Sequence, residues 1–141
     1  MSFVLDASVV VAWLLEDEDD PVARVALERL DTEPALVPQA WHVEVRSALL
    51  GAERRGRLRP VQADDCLGRA KEIPVQTDSS PDLDRAFTLA RTRRLSVYDA
   101  LYLELALRTG TPLATLDRAL ADAARAESLA LVGGPTSPDG A

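Results

Sequence analysis

The stretch FVLDASVVVAWLL, Phe3 to Leu15, decides how the rest of the chain is read. FVLD is a short apolar run that reads as a buried strand, and ASVVVAWLL reads as the helix that follows it. The chain therefore opens with a β-to-α step, and Asp6 stands at the junction.

The same alternation continues outward. After the acidic loop EDEDD, Glu16 to Asp20, Pro21 starts a helix whose segment VARVALERL has helical apolar spacing. ALVP, Ala35 to Pro38, is a second strand candidate, and QAWHVEVRSALLGAERRG is a long helix ending in arginines and Gly56. Pro60 opens a helix to about Ile73, and IPVQT, Ile73 to Thr77, is a third strand candidate. SSPDLDRAFTLARTRR follows as a helix, with Ser80 the expected N-cap and Pro81 in the first turn. Next come the helical stretch LSVYDALYLELA (Leu95 to Ala106), a break at Gly110, and a strand around PLAT. A helix from Asp117 to about Ala126 and a last strand LALV complete the pattern. Such alternation predicts an α/β sandwich with a mostly parallel central sheet. Residues 1–132 read as one domain, and GGPTSPDGA, residues 133–141, as a flexible tail.

The length of 141 residues suits a single hydrophobic core, and 47% apolar with 28% charged residues is ordinary for a soluble globular protein. No apolar run approaches the roughly 18 residues of a membrane span. MSFVLDASVV lacks the basic flank and cleavage site of a signal peptide, so a cytoplasmic protein is expected. The single cysteine, Cys66, reads as a structural thiol. Lys71 is the only lysine, and the net charge of −7 argues against gripping nucleic acid by overall charge. An acidic protein can still handle phosphates when metal ions intervene.

In parallel α/β sheets ligands bind beyond the carboxyl ends of the strands, so acids at strand-to-helix junctions come first. Asp6 and Asp117 both occupy such junctions, where either could simply cap a helix. Asp99 sits in Ser96-Val97-Tyr98-Asp99, a capping-box pattern. On the helical wheel, however, Tyr102, Leu103 and Ala106 share its face. Glu104 and Arg108 lie roughly 140° and 180° away and form an (i, i+4) pair. That places solvent on the Glu104/Arg108 side and points Asp99 inward. An inward carboxylate costs several kcal/mol unless satisfied, so either a distant arginine pairs with it or further carboxylates join it around a cation. Glu44 lies at the edge of an apolar stripe through Trp41, Val45, Ala48, Leu49 and Ala52.

Clustered carboxylates suit Mg²⁺ or Mn²⁺, which can polarise a phosphodiester and activate water without a catalytic histidine. The only histidine, His42, reads as a surface residue on the polar side of its helix. Trp13 and Trp41 have helical apolar neighbours that favour core or partner-groove packing over base stacking.

Together, FVLDAS, VEVRSALL, SVYDALYLELA and LATLDRAL, in this order and spacing from Phe3 to Val132, resemble PIN-domain ribonucleases of the VapC toxin type. The resemblance implies a compact three-layer α/β/α sandwich. It further implies that Asp6, Glu44, Asp99 and Asp117 bind metal, with Ser8 and Thr115 orienting a carboxylate or water. Hydrolysis of RNA by a metal-activated water, with Mg²⁺ or Mn²⁺ as cofactor, homodimerisation and inhibition by a cognate antitoxin complete the expectation. The chain departs at Ser47, where many relatives carry Asn. Arg54, Arg55, Arg57 and Arg59, and Arg91, Arg93 and Arg94, form two basic clusters able to meet phosphates or simply to stand in solvent. One rival reading is a catalytically silent protein-binding module. Another, a phosphatase or receiver-like protein using Asp6, is disfavoured because an Asp-x-Asp pair fails at Ser8.

Overall fold

A computed structural model of the chain describes residues 2–16 and 20–133. Four strands, β1 (Phe3–Leu5), β2 (Ala35–Pro38), β3 (Val75–Asp78) and β4 (Leu113–Ala114), form one parallel sheet in the order β3-β2-β1-β4. All three residues of β1 are fully buried, as an apolar strand in the middle of a covered parallel sheet must be. The seven helices are α1 (Ala7–Leu15), α2 (Pro21–Arg29), α3 (Gln39–Arg54), α4 (Pro60–Lys71), α5 (Leu83–Arg93), α6 (Val97–Thr109) and α7 (Arg118–Ala126). The α1, α3 and α4 helices pack on one another, while α6 lies against β1, β2 and β4 and carries α5 and α7 on its outer sides. A three-layer α/β/α sandwich results, with one apolar core running from Phe3 to Val132.

Local chemistry explains most element ends. Gly56 after α3 and Gly110 at the end of α6 have φ of 76° and 65°, the left-handed backbone that stops helices at glycine. The expected start of α5 at Ser80 moves to Asp82, whose carboxylate accepts the Arg85 N–H at 3.0 Å. Asp82 also donates its own N–H to Glu104, which fixes this residue as the cap and leaves Ser80 and Pro81 in the preceding loop. The last strand contracts to a parallel bridge between Leu113 and Leu131. Most of the acidic run after Glu16, and the tail beyond Gly133, lie outside the described residues.

The largest departure concerns Glu104. The wheel assigned it to solvent, yet it is completely buried. Because α6 is covered by the sheet on one side and by α5 on another, its polar side is an internal seam. Arg108 closes that seam: its Nε meets Glu104 Oε2 at 2.6 Å and its Nη2 meets Asp78 Oδ2 at 2.7 Å. The (i, i+4) pair is therefore present, but as a strap between α6 and the end of β3.

His42 also departs from its expected place. Its ring is half-buried, edge-on to Trp41 with centroids 4.9 Å apart, and its Nε2 shares a 2.8 Å hydrogen bond with Thr77 on β3. Burial pushes its pKa down, and the Arg46 charge adds to this. Trp41 is in the core, Trp13 donates its indole N–H to Ala23 O at 2.8 Å, and the buried Cys66 thiol faces Leu14 O.

Candidate active site

Because every strand is parallel, the carboxyl ends of β1, β2 and β4 open on one edge of the sheet. Asp6 leaves β1 there, α3 departs from the end of β2, and Thr115 and Asp117 follow β4. The first turn of α6 adds Asp99.

Asp6 occupies the N-cap position of α1 but makes no side-chain cap. Its Oδ2 instead accepts two hydroxyl hydrogen bonds, from Ser8 Oγ and Thr115 Oγ1, both at 2.7 Å. The two hydroxyls are fixed in turn, Ser8 Oγ accepting from Leu116 N–H and Thr115 Oγ1 from Asp117 N–H, both at 3.0 Å. Helix capping therefore does not explain Asp6, whose carboxylate is turned to the junction between β1 and β4.

Asp117 does cap, its Oδ1 accepting from Leu120 N–H at 3.1 Å. At α6, Ser96 Oγ accepts the Asp99 N–H at 3.0 Å, so the hydroxyl caps the helix and the half-buried Asp99 carboxylate is available for something else. Glu44, one turn into α3, accepts a 2.6 Å hydrogen bond on Oε1 from the phenol of Tyr102. Asp6 Oδ1, Glu44 Oε2 and Asp117 Oδ2 carry no hydrogen bond among the described residues, and none of the three is sealed from solvent. Each of these acids is thus anchored through one oxygen and open at the other.

The electrostatics bind the four into one group. Burial pushes the Asp6 carboxyl up, the Thr115 and Ser8 hydroxyls pull it back, and the charges of Asp99 and Asp117 raise it again. Glu44 is raised first by burial and then by Asp6 and Asp99, against the pull of Tyr102. Asp99 is raised by burial and by Asp117, against the pull of the Ser96 hydroxyl. Among the described residues no arginine or lysine forms an ion pair with any of the four. Nor do three His, Cys, Asp or Glu side chains there already stand around one point as a finished metal site. An all-oxygen, carboxylate-rich set with open oxygens fits a hard divalent cation such as Mg²⁺ or Mn²⁺.

Tyr102 went unnoticed in the sequence, where it counted only as part of the apolar face shared with Asp99. Its ring is fully buried. Burial, the Asp6 charge and the bond to Glu44 push its pKa far above the ordinary value, and the Ala7 backbone pulls the other way, so the phenol stays a hydrogen-bond donor. Ser47 is exposed on α3. Of the basic clusters, Arg54, Arg55, Arg57 and Arg59 are exposed, as are Arg91, stacked on Phe87, and Arg94. Arg93 is tied to Glu127 at 2.6 Å.

The chain is thus a parallel α/β sandwich with acidic side chains placed along the carboxyl edge of its sheet, where ligands of such folds bind. The PIN domain profile matches residues 3–126, and the chain belongs to that family. Within it the chain is of the VapC ribonuclease type. It is 34% identical over 125 residues to Ribonuclease VapC3 of Pyrobaculum aerophilum, covering 86% of this chain and 94% of that relative. It is 35% identical over 120 residues to Ribonuclease VapC3 of Mycobacterium tuberculosis, 85% of each chain. Solved structures agree on the fold. PAE2754 from Pyrobaculum aerophilum superposes with a TM-score of 0.69 at 24% identity, covering 87% of this chain and 84% of its own. VapC20 of Mycobacterium tuberculosis, a toxin that cleaves the sarcin-ricin loop, superposes with a TM-score of 0.57 at 18% identity, over 87% and 95%.

Proposed function

We propose that this chain is a divalent-metal-dependent endoribonuclease acting as the toxin of a toxin-antitoxin pair, with Asp6, Glu44, Asp99 and Asp117 as the metal-binding acids. The observation that carries the reading is the set of open carboxylate oxygens at the carboxyl edge of the sheet, with three of the four acids raised in pKa and no ion pair to a cationic side chain among the described residues. Mg²⁺ or Mn²⁺, when bound, would polarise the phosphodiester and supply activated water for its hydrolysis. The protein's own contribution is to hold the acids. Ser8 and Thr115 fix one oxygen of Asp6, Leu120 N–H fixes one of Asp117, and the Ser96 cap fixes the backbone at Asp99. Exposed arginines such as Arg94 and Arg54 offer guanidinium forks for RNA phosphates.

A cognate antitoxin and a second copy of the chain are the expected protein partners. Exposed apolar side chains on α3, α5 and α6, namely Val43, Leu50, Leu83, Phe87, Val97 and Tyr98, support a protein-covered surface. No helix among the described residues is long and apolar enough to cross a membrane, and we place the protein in the cytoplasm, where RNA is available.

The test is cleavage of structured and unstructured RNA by purified, antitoxin-free protein. Cutting is expected with Mg²⁺ or Mn²⁺ and none in excess EDTA. Cleavage that persists at full rate without divalent metal sinks the metal-dependent mechanism. Absence of saturable Mn²⁺ binding by calorimetry would favour the silent binding module instead.

A further inference from the structure

Glu44 differs from the other three acids in how it reaches the site. Asp6, Asp99 and Asp117 have short side chains set at the starts of helices, whereas Glu44 projects from within α3 on a longer, more flexible stem. Only one described group restrains it: the Tyr102 phenol, at 2.6 Å and 58 residues away in the chain.

A buried tyrosine needs some acceptor, and satisfying that need is the plain explanation of the bond. Three facts go beyond it. The phenol has a single hydrogen, so it can anchor Oε1 while Oε2 stays open. Tyr102 lies one turn after Asp99 on α6, so a single rigid helix carries one acid and the tether of another. Tyr102 is completely enclosed by core, so the tether itself cannot swing.

We propose that Tyr102 is the positioning residue that makes Glu44 a metal ligand, setting its carboxylate relative to Asp99 through α6. This rests on the reading of the four acids as a divalent-cation site. Tyr102 touches neither RNA nor metal and acts only through Glu44. Groups of this kind, one step removed from the metal, change affinity about 10- to 100-fold when lost.

The experiment is a double-mutant cycle read by Mn²⁺ calorimetry on the full chain: wild type, Tyr102→Phe, Glu44→Gln and the double variant. Tyr102→Phe keeps the ring and its packing and should weaken Mn²⁺ binding at least about tenfold. The double variant should bind no more weakly than Glu44→Gln alone. With Mn²⁺ kept saturating for each protein, RNA cleavage should lose kcat, with KM for RNA within about twofold, since the cation that admits RNA is then in place. Wild-type Mn²⁺ affinity in Tyr102→Phe, alongside weakened binding in Glu44→Gln, overturns the proposal and leaves the metal site standing. Additive losses overturn it too, because Tyr102 would then act elsewhere. If the wild type binds no Mn²⁺, the site reading fails and the proposal with it. A second measurement keeps the phenol at position 102 in place. Tyr98 and Tyr102 are the only tyrosines, so 3-fluorotyrosine labelling gives two ¹⁹F signals. Saturable movement of the Tyr102 signal on adding Mg²⁺, lost in Glu44→Gln, supports the tether, and an unmoved signal in a chain that binds Mg²⁺ overturns it.

Discussion

At the scale of the residue, the site is a place where the fold accepts electrostatic cost. Asp6, Glu44 and Asp99 titrate above the ordinary 3.8 of aspartate and 4.5 of glutamate. Between those values and the raised ones, the folded protein binds more protons than the unfolded chain. Stability of the metal-free protein therefore falls as pH rises through that window and stays lower at neutral pH. As a proposed metal ligand Asp99 is needed for cutting, so Asp99→Asn should abolish RNA cleavage, and by removing a repelled carboxylate it should raise the melting temperature in EDTA. The difference from wild type should shrink as pH falls through the raised value toward the ordinary 3.8 of an aspartate. Equal cleavage by the folded variant removes Asp99 from the site. Thr115→Val tests the support of Asp6. It deletes a bond to the carboxylate and strands the Asp117 N–H, so urea denaturation should show a loss of about 1–3 kcal/mol.

At the scale of the element, α6 connects site and scaffold. Its first turn presents Asp99, its middle presents Tyr102, and its buried Glu104 is strapped by Arg108 to Asp78. Arg108→Ala leaves the Glu104 carboxylate enclosed and unpaired and should cost about 3 kcal/mol, the low end for a broken buried pair because the Arg108 side chain is itself one-third exposed. Chemical denaturation measures that loss, and a neutral result shows that water reaches Glu104. This helix also shows where sequence reading succeeds and stops. Ser96 as cap, the break at Gly110 and the pairing of Glu104 with Arg108 are local, decided within a turn or two, and were legible. The solvent side was not, because a wheel records one helix's polarity and not how many neighbours cover it. Asp78 lies 30 residues from Arg108 and Glu44 lies 58 from Tyr102, so neither partnership leaves a periodic trace. Asp6 and Asp117 could be singled out because acids at strand ends are positional facts, Asp99 by the apolar face it shares with Tyr102, and Glu44 only by its place at the edge of an apolar stripe. That Asp6 accepts from the Ser8 and Thr115 hydroxyls and not from the α1 backbone was implied by the resemblance alone, since an aspartate N-cap is spelled the same way whichever group it accepts from.

At the scale of the whole molecule, a net charge of −7 opposes RNA, and the acidic edge adds to the repulsion. Divalent cation should therefore stabilise the fold as well as enable binding of the substrate. Mn²⁺ at 100 times its dissociation constant contributes about 2.7 kcal/mol, and thermal unfolding should shift upward accordingly in the wild type but far less in Asp6→Asn. An equal shift in both proteins places the cation elsewhere.

The hydroxyl of Thr115 reaches Asp6 across 109 residues of chain, and the contact exists only because β4 lies beside β1. Asp6 and Asp117 are therefore brought together by the pairing of the first strand with the last of the four. A chain in which β4 has peeled away retains β1, β2 and β3 but has lost the neighbour that orients Asp6 and brings Asp117 alongside. For an endoribonuclease with the proposed site, this joins harm to completeness: a half-made or frayed molecule would be disarmed by its own topology, because the proposed site needs the closed sheet.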